Sequence, residues 1–144
     1  MTCPNRYQKS SLMAYTSTEQ TTGSNAKFAN ITYQSGVSIN LVAGSDTVYL
    51  QAPGLYFITA DVVMSNTTAA TDSTVQMYVN GVALAGALTE ATIVTAGDSE
   101  PGSITAIVPV PPQCGCSKGV PITFAIGGTT ATVTSFNITI MKIA

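Results

Sequence analysis

The chain has 144 residues, a mass of 14.8 kDa and a formal net charge of −2, the size of one domain with a core of its own. Only 8% of residues are charged and His is absent, which removes Ser-His-Asp and Cys-His catalysis, His metal ligands and a His pH switch. Five scattered bases (Arg6, Lys9, Lys27, Lys118 and Lys142) make no phosphate-binding stripe, so no nucleic-acid partner is expected.

The hydrophobic content of 45% argues against disorder, and no apolar run nears the roughly 18 residues of a membrane-spanning helix. Met1 to Arg6 lacks the apolar stretch of a secretory signal, so export by that route is not expected. Thr supplies 22 residues. Solubility therefore rests on neutral polar side chains, or on cover by partner subunits.

Residues 1–27 are polar and lack a clear period, apart from the apolar cluster Leu12, Met13, Ala14, Tyr15. This segment reads either as a disordered terminus or as an arm that orders on a partner, with Arg6, Tyr7, Leu12, Met13 and Tyr15 as attachment residues. From Phe28 onward the pattern is β. Leu55 to Met64 follows the turn signal Ala52-Pro53-Gly54 and is largely apolar on both faces, predicting a central strand between two layers. Asp61 interrupts it and is expected to have a structural role, buried with a partner or at a subunit interface.

Ser73 to Val79 alternates cleanly, and Asn80-Gly81 joins it to Val82-Ala83-Leu84. That dipeptide predicts a hairpin, because a type I′ turn needs φ > 0 at both central positions. Val82 to Ile93 is rich in Ala and Leu, yet its Thr and β-branched residues favour strand or loop over helix. Ser103 to Val110 is a strand whose Pro109 places that end at an edge or terminus. Ile122 to Ile126 and Thr132 to Ile143 complete a set of eight to ten short strands, an all-β sandwich or barrel.

Little in the chain points to chemistry. Cys3 stands alone, and Cys114 and Cys116 share a Pro/Gly/Ser-rich loop without zinc or thioredoxin spacing. Plain loop thiols, an intersubunit disulfide and a metal on a symmetry axis are the three readings of that pair. Asp98 and Glu100 form the only close carboxylate pair, a weak Ca²⁺ candidate without EF-hand spacing. No cofactor is expected, and no enzyme: a glycosidase needs two opposed carboxylates in a cleft, often with aromatic platforms, and here Trp is absent and aromatics are only 7%. Asn30, Asn66 and Asn137 each begin an Asn-x-Thr sequon, which a Thr-rich chain produces by chance.

The segment Ala52-Pro-Gly-Leu-Tyr-Phe-Ile-Thr-Ala-Asp-Val resembles the PGLYxFx signature of C1q/TNF-like jelly rolls. The Tyr78-Val79-Asn80-Gly81 hairpin, the segment Ser103 to Val110 and the closing strand Phe136 to Ile143 are similar to that family's pattern. The resemblance covers residues 28–144 and implies a ten-stranded jelly-roll trimerisation domain behind an N-terminal arm of residues 1–27. It implies a homotrimer that buries apolar strand faces, with Tyr56, Val62, Met64, Tyr78, Phe136 and Met141 as interface candidates. The charge-poor, Thr-rich style is similar to bacteriophage head- and tail-fibre proteins and to bacterial spore-surface filament tips.

Two functions are expected on that basis. One is a virion protein, folded in the host cytoplasm and attached to a capsid or other virion protein by its arm, exposing a surface to host glycans or proteins. The other is a binding module on a spore or cell surface.

Overall fold

The period-2 alternation is realised as two antiparallel sheets packed face to face. The computed structural model describes residues 9–112 and 118–144. Among these, the regular structure is β: β1 (Ser11–Thr16), β2 (Gln20–Thr21), β3 (Asn30–Ser35), β4 (Ile39–Asn40), β5 (Val48–Leu50), β6 (Gly54–Asn66), β7 (Thr71–Val79), β8 (Val82–Ile93), β9 (Ser99–Val110), β10 (Val120–Gly128) and β11 (Ala131–Lys142). One sheet has the order β3-β1-β11-β6-β9, with β2 added beside β11, and the other β4-β5-β10-β7-β8. From β5 onward the chain changes sheets at every connection except the β7–β8 hairpin, which is a jelly-roll path. Eleven strands replace the eight to ten expected, because β2 and β4 are two-residue pieces too short to leave a pattern.

Alternate residues of each strand enter the core. Tyr56, Ile58, Ala60, Val62 and Met64 of β6 meet Ile122, Phe124 and Ile126 of β10 in one hydrophobic cluster. Its centre is an edge-to-face trio: Phe28, Phe124 and Phe136 have ring centroids 5.2 to 6.1 Å apart. Such pairs contribute about 0.5–1.5 kcal/mol beyond area burial. Phe28 reaches this position from a crossover segment. Thr22 bonds to Ala131 in the six-stranded sheet, and Ala26 bonds to Phe124 in the five-stranded one.

Asn80 and Gly81 have φ of 53° and 80°, the two positive values expected of the type I′ hairpin. Beyond it, β8 is a strand, as its composition suggested, but it carries a wide bulge. Tyr78 pairs with Ala83 and Gln76 with Leu88, so four residues of β8 lie opposite Met77. The Gln76 amide fills the gap and donates to the carbonyls of Met77, Leu84 and Ala87.

Three expectations are corrected. The domain does not begin at residue 28. β1 lies between β3 and β11, with Ser11 to Thr16 opposite Met141 to Phe136, and Leu12 is fully buried. Six residues whose inward set is Leu12, Ala14 and Thr16 carry too little apolar signal to be recognised in polar surroundings. Second, β6 is central within its sheet, but only one of its faces meets the core; Leu55 and Asp61 point outward and are exposed. Third, Tyr56, Val62, Met64 and Phe136 are in the core of a single chain, which removes them as interface residues.

The PGLY turn has a physical account. Gly54 has φ of 143°, and a Cβ there would collide with the Ala144 carbonyl oxygen. The Leu55 amide donates to that carbonyl at 3.0 Å, and the Ile143 amide donates back to Leu55 at 2.8 Å. The Tyr56 hydroxyl closes the turn by donating to the Ala52 carbonyl at 2.6 Å.

Burial raises the Tyr56 pKa above its ordinary value of 10.0. The unfolded chain therefore loses this proton first, and stability falls as pH rises through about 10. Tyr56→Phe is expected to cost about 1 kcal/mol at neutral pH and to flatten the alkaline loss. Urea unfolding of both proteins at neutral and alkaline pH checks this.

Candidate functional site: an uncharged sheet face

The outer face of the six-stranded sheet is the largest feature of the chain that packing within one subunit leaves unexplained. Strand register orders its residues into rows. At one end, Met141 of β11 sits opposite Phe57 of β6, and Phe57 opposite Ile107 of β9. Leu55 pairs with Pro109 beside them. The next row runs Tyr33, Met13, Thr139, Thr59, Thr105 across all five strands. The row after that runs Tyr15, Asn137, Asp61, Ser103. Met13 is 44% exposed, Tyr15 42%, Tyr33 54%, Ile107 55% and Met141 40%. Large apolar side chains so exposed, side by side on one face, mark an interaction surface, whereas scattered ones do not.

Asp61 is the one carboxylate in these rows. It lines a shallow depression of about 200 Å³ with Met13, Tyr15, Thr32, Asn137 and Thr139. Among the described residues, its side chain makes no hydrogen bond or ion pair within the chain. The expectation of a buried, partnered Asp61 is therefore corrected: alternation along β6 turns it outward, between exposed Asn137 and exposed Ser103.

The other singled-out residues are dispersed. Met13, Tyr15 and Met141 belong to the face just described, whereas Tyr78 is half-buried on the five-stranded sheet. Leu12 is in the core, so it is corrected as an attachment residue. Asp98 and Glu100 are exposed where the chain enters β9, and among the described residues no group of three or more acidic or Cys side chains could hold a metal. Arg6, Tyr7, Cys3, Cys114 and Cys116 lie outside the described residues. Tyr33, Phe57 and Ile107 were not singled out from the sequence. For Phe57 and Ile107 the signal was parity, each being an apolar residue out of phase with the buried set of its own strand, whereas Tyr33 shares the parity of half-buried Ile31 and is turned outward by the bulge in the β1–β3 ladder.

The far end of the sandwich is tied by Asn66, whose side chain is fully buried. Its amide donates to the Thr129 carbonyl at 2.8 Å and to the Ser73 hydroxyl at 3.3 Å. Its oxygen accepts from the Thr68 amide at 2.9 Å and the Thr130 hydroxyl at 2.7 Å. These bonds hold two loops together and fix Thr130 at φ of 54°, an unfavourable value for a β-branched residue. Asn66 leaves no room for a glycan, while Asn30 and Asn137 are exposed.

Two sheets, this strand order and this path define a TNF-like jelly-roll sandwich. No family model matches the sequence, and no curated protein matches it. Solved structures do match. Murine APRIL aligns with 94% of this chain and 100% of its own at a TM-score of 0.67 and 14% identity. Eiger TNF from S. frugiperda aligns with 94% of this chain and 92% of its own at 0.61 and 11%. The PRD1 vertex protein P5 aligns with 94% of this chain and 73% of its own at 0.60 and 16%. At these identities the likeness is one of fold.

Asn66→Ala leaves the Thr68 amide and the Thr129 carbonyl without their side-chain partner in a part-buried site. The expected cost is about 1–3 kcal/mol, read as a lower urea midpoint with the fold kept.

Proposed function

We propose that this protein is a non-catalytic structural module. It assembles as a homotrimer through the outer face of its six-stranded sheet. The trimer decorates a phage particle, as a head fibre or a similar appendage. The N-terminal residues, Arg6 and Tyr7 among them, attach it to a capsid or other virion protein, and its remaining surface is presented to host glycans or proteins.

The observation that carries this reading is the partly apolar face, whose one charge is Asp61. The five strands are 6 to 13 residues long and, at about 4.8 Å apart and about 3.3 Å per residue, the sheet spans roughly 20 Å across and roughly 20–43 Å along its strands. That is close to the roughly 800 Å² each partner contributes to a standard interface. A threefold ring closes a heterologous contact, so each chain buries such a face without leaving an open end. The fold-level likeness to a phage vertex protein supports the virion part by analogy.

Corrected strand boundaries also sharpen the arm. Residues from Ser11 onward belong to the sheet, so attachment falls to the residues before it. Deleting residues 1–8 leaves every described strand intact. It is expected to abolish attachment to particles while the protein still assembles; retained attachment would rule out the anchoring role.

Ile107→Arg puts a charge into the exposed apolar row without touching the core. It is expected to raise the concentration needed for assembly by about tenfold or more and to change folding stability by less than about 0.5 kcal/mol. Light scattering and thermal melting read the two effects. A wild-type protein that scatters as a 14.8 kDa monomer at micromolar concentration contradicts the trimer.

A further inference from the structure

We infer that Asp61 makes the assembly of this protein proton-dependent: among the described residues, the face that meets a second copy carries one carboxylate and no base to pair with it. The inference rests on the trimer reading above and adds a regulatory element to it.

Asp61 stands near the middle of β6, flanked by Asn137 on β11 and Ser103 on β9. Tyr15 on β1 lies beyond Asn137, and Asn30 on β3 beyond Tyr15. None of these carries a charge near neutral pH. The other titratable groups in the rows are the phenols of Tyr15 and Tyr33. Lys9 precedes β1, six residues along the strand from Tyr15, a span of roughly 20 Å. Lys142 turns to the opposite side, where it is buried and its Nζ donates to the Ala144 carbonyl. Asp61 itself, among the described residues, has no hydrogen bond or ion pair within the chain.

In the single chain this arrangement costs nothing, because water solvates the carboxylate. Once a second copy covers the face, the carboxylate leaves water without a counter-charge. Burial of that kind favours the neutral acid. The protonated acid is a good partner for the Asn137 amide and the Tyr15 hydroxyl, each a donor and an acceptor. Assembly therefore takes up protons. By linkage, it tightens as pH falls and loosens as pH rises.

Equilibrium sedimentation of the full chain tests this between about pH 5 and pH 8, with wild type, Asp61→Asn and Asp61→Glu; circular dichroism confirms that all three are folded. The wild-type concentration for half-assembly is expected to fall about tenfold or more on acidification. Asp61→Asn is expected to be insensitive to pH and as tight at neutral pH as the acidified wild type. Asp61→Glu is expected to keep the wild-type dependence. A trimer equally stable across the range in wild type overturns the inference and leaves the trimer standing. Weaker assembly of Asp61→Asn at neutral pH also overturns it, because it would reveal a base reaching Asp61 from the neighbouring copy. Monomers at every pH in all three proteins overturn the trimer and this inference together.

Discussion

The ladder formed by β6 and β11 governs the rest of the structure. It runs from Ala131 opposite Asn66 to Lys142 opposite Tyr56, and the equally long β6–β9 ladder continues the sheet on the other side of β6. One face supplies Tyr56, Ile58, Val62, Phe136, Ile138 and Ile140 to the core. Strand geometry then forces the intervening residues onto the other face. Those residues are Phe57, Val63, Met141, three threonines or asparagines and one aspartate, so the outside is neutral and partly apolar. A sheet in an ordinary monomer offsets its apolar inside with a charged outside. This one does not, and the missing charge is the physical reason to expect another subunit over it.

How much of this was legible follows from which residues repeat. The Asn80-Gly81 hairpin, the β6 strand and the closing β11 strand were readable because their alternation is long or their turn chemistry is specific. β1 was not, because Ala14 and Thr16 face the core without announcing it. Its place is set by pairing with β3, 15 to 24 residues away, and with β11, 120 to 130 residues away, which no local pattern encodes. The interface candidates failed in a related way. Tyr56, Val62, Met64 and Phe136 were chosen for being apolar, but alternation gives apolar residues to both faces, and the inner set is the more apolar. Register was needed to separate Phe57 and Ile107 from Tyr56 and Val108. Asn66 was visible as a sequon, and only the closing of the loops around it shows that it is a structural tie.

The two ends of the sandwich differ in character. Near Gly54, the start of β1 and the last residues meet through backbone hydrogen bonds around the PGLY turn. At the other end the Asn66 amide holds the loops by side-chain bonds, with exposed Asp98 and Glu100 nearby. The described chain begins at the first end, so under the proposed attachment the second end and the five-stranded sheet are what such a trimer would present outward. A rigid scaffold with loops held at the exposed end is a common arrangement for recognition.

The central claim is that the outer face of the six-stranded sheet is covered in the native protein. Methionine oxidation by peroxide reads that cover directly, residue by residue, because an accessible thioether is converted to the sulfoxide. Met13 and Met141 lie on the face and are 44% and 40% exposed in a single chain, whereas Met64 and Met77 are fully buried and serve as internal controls. Cover by a second copy predicts that Met13 and Met141 are protected at concentrations that support assembly and become reactive on dilution. Rapid oxidation of both at every concentration, with Met64 and Met77 still protected, would contradict it.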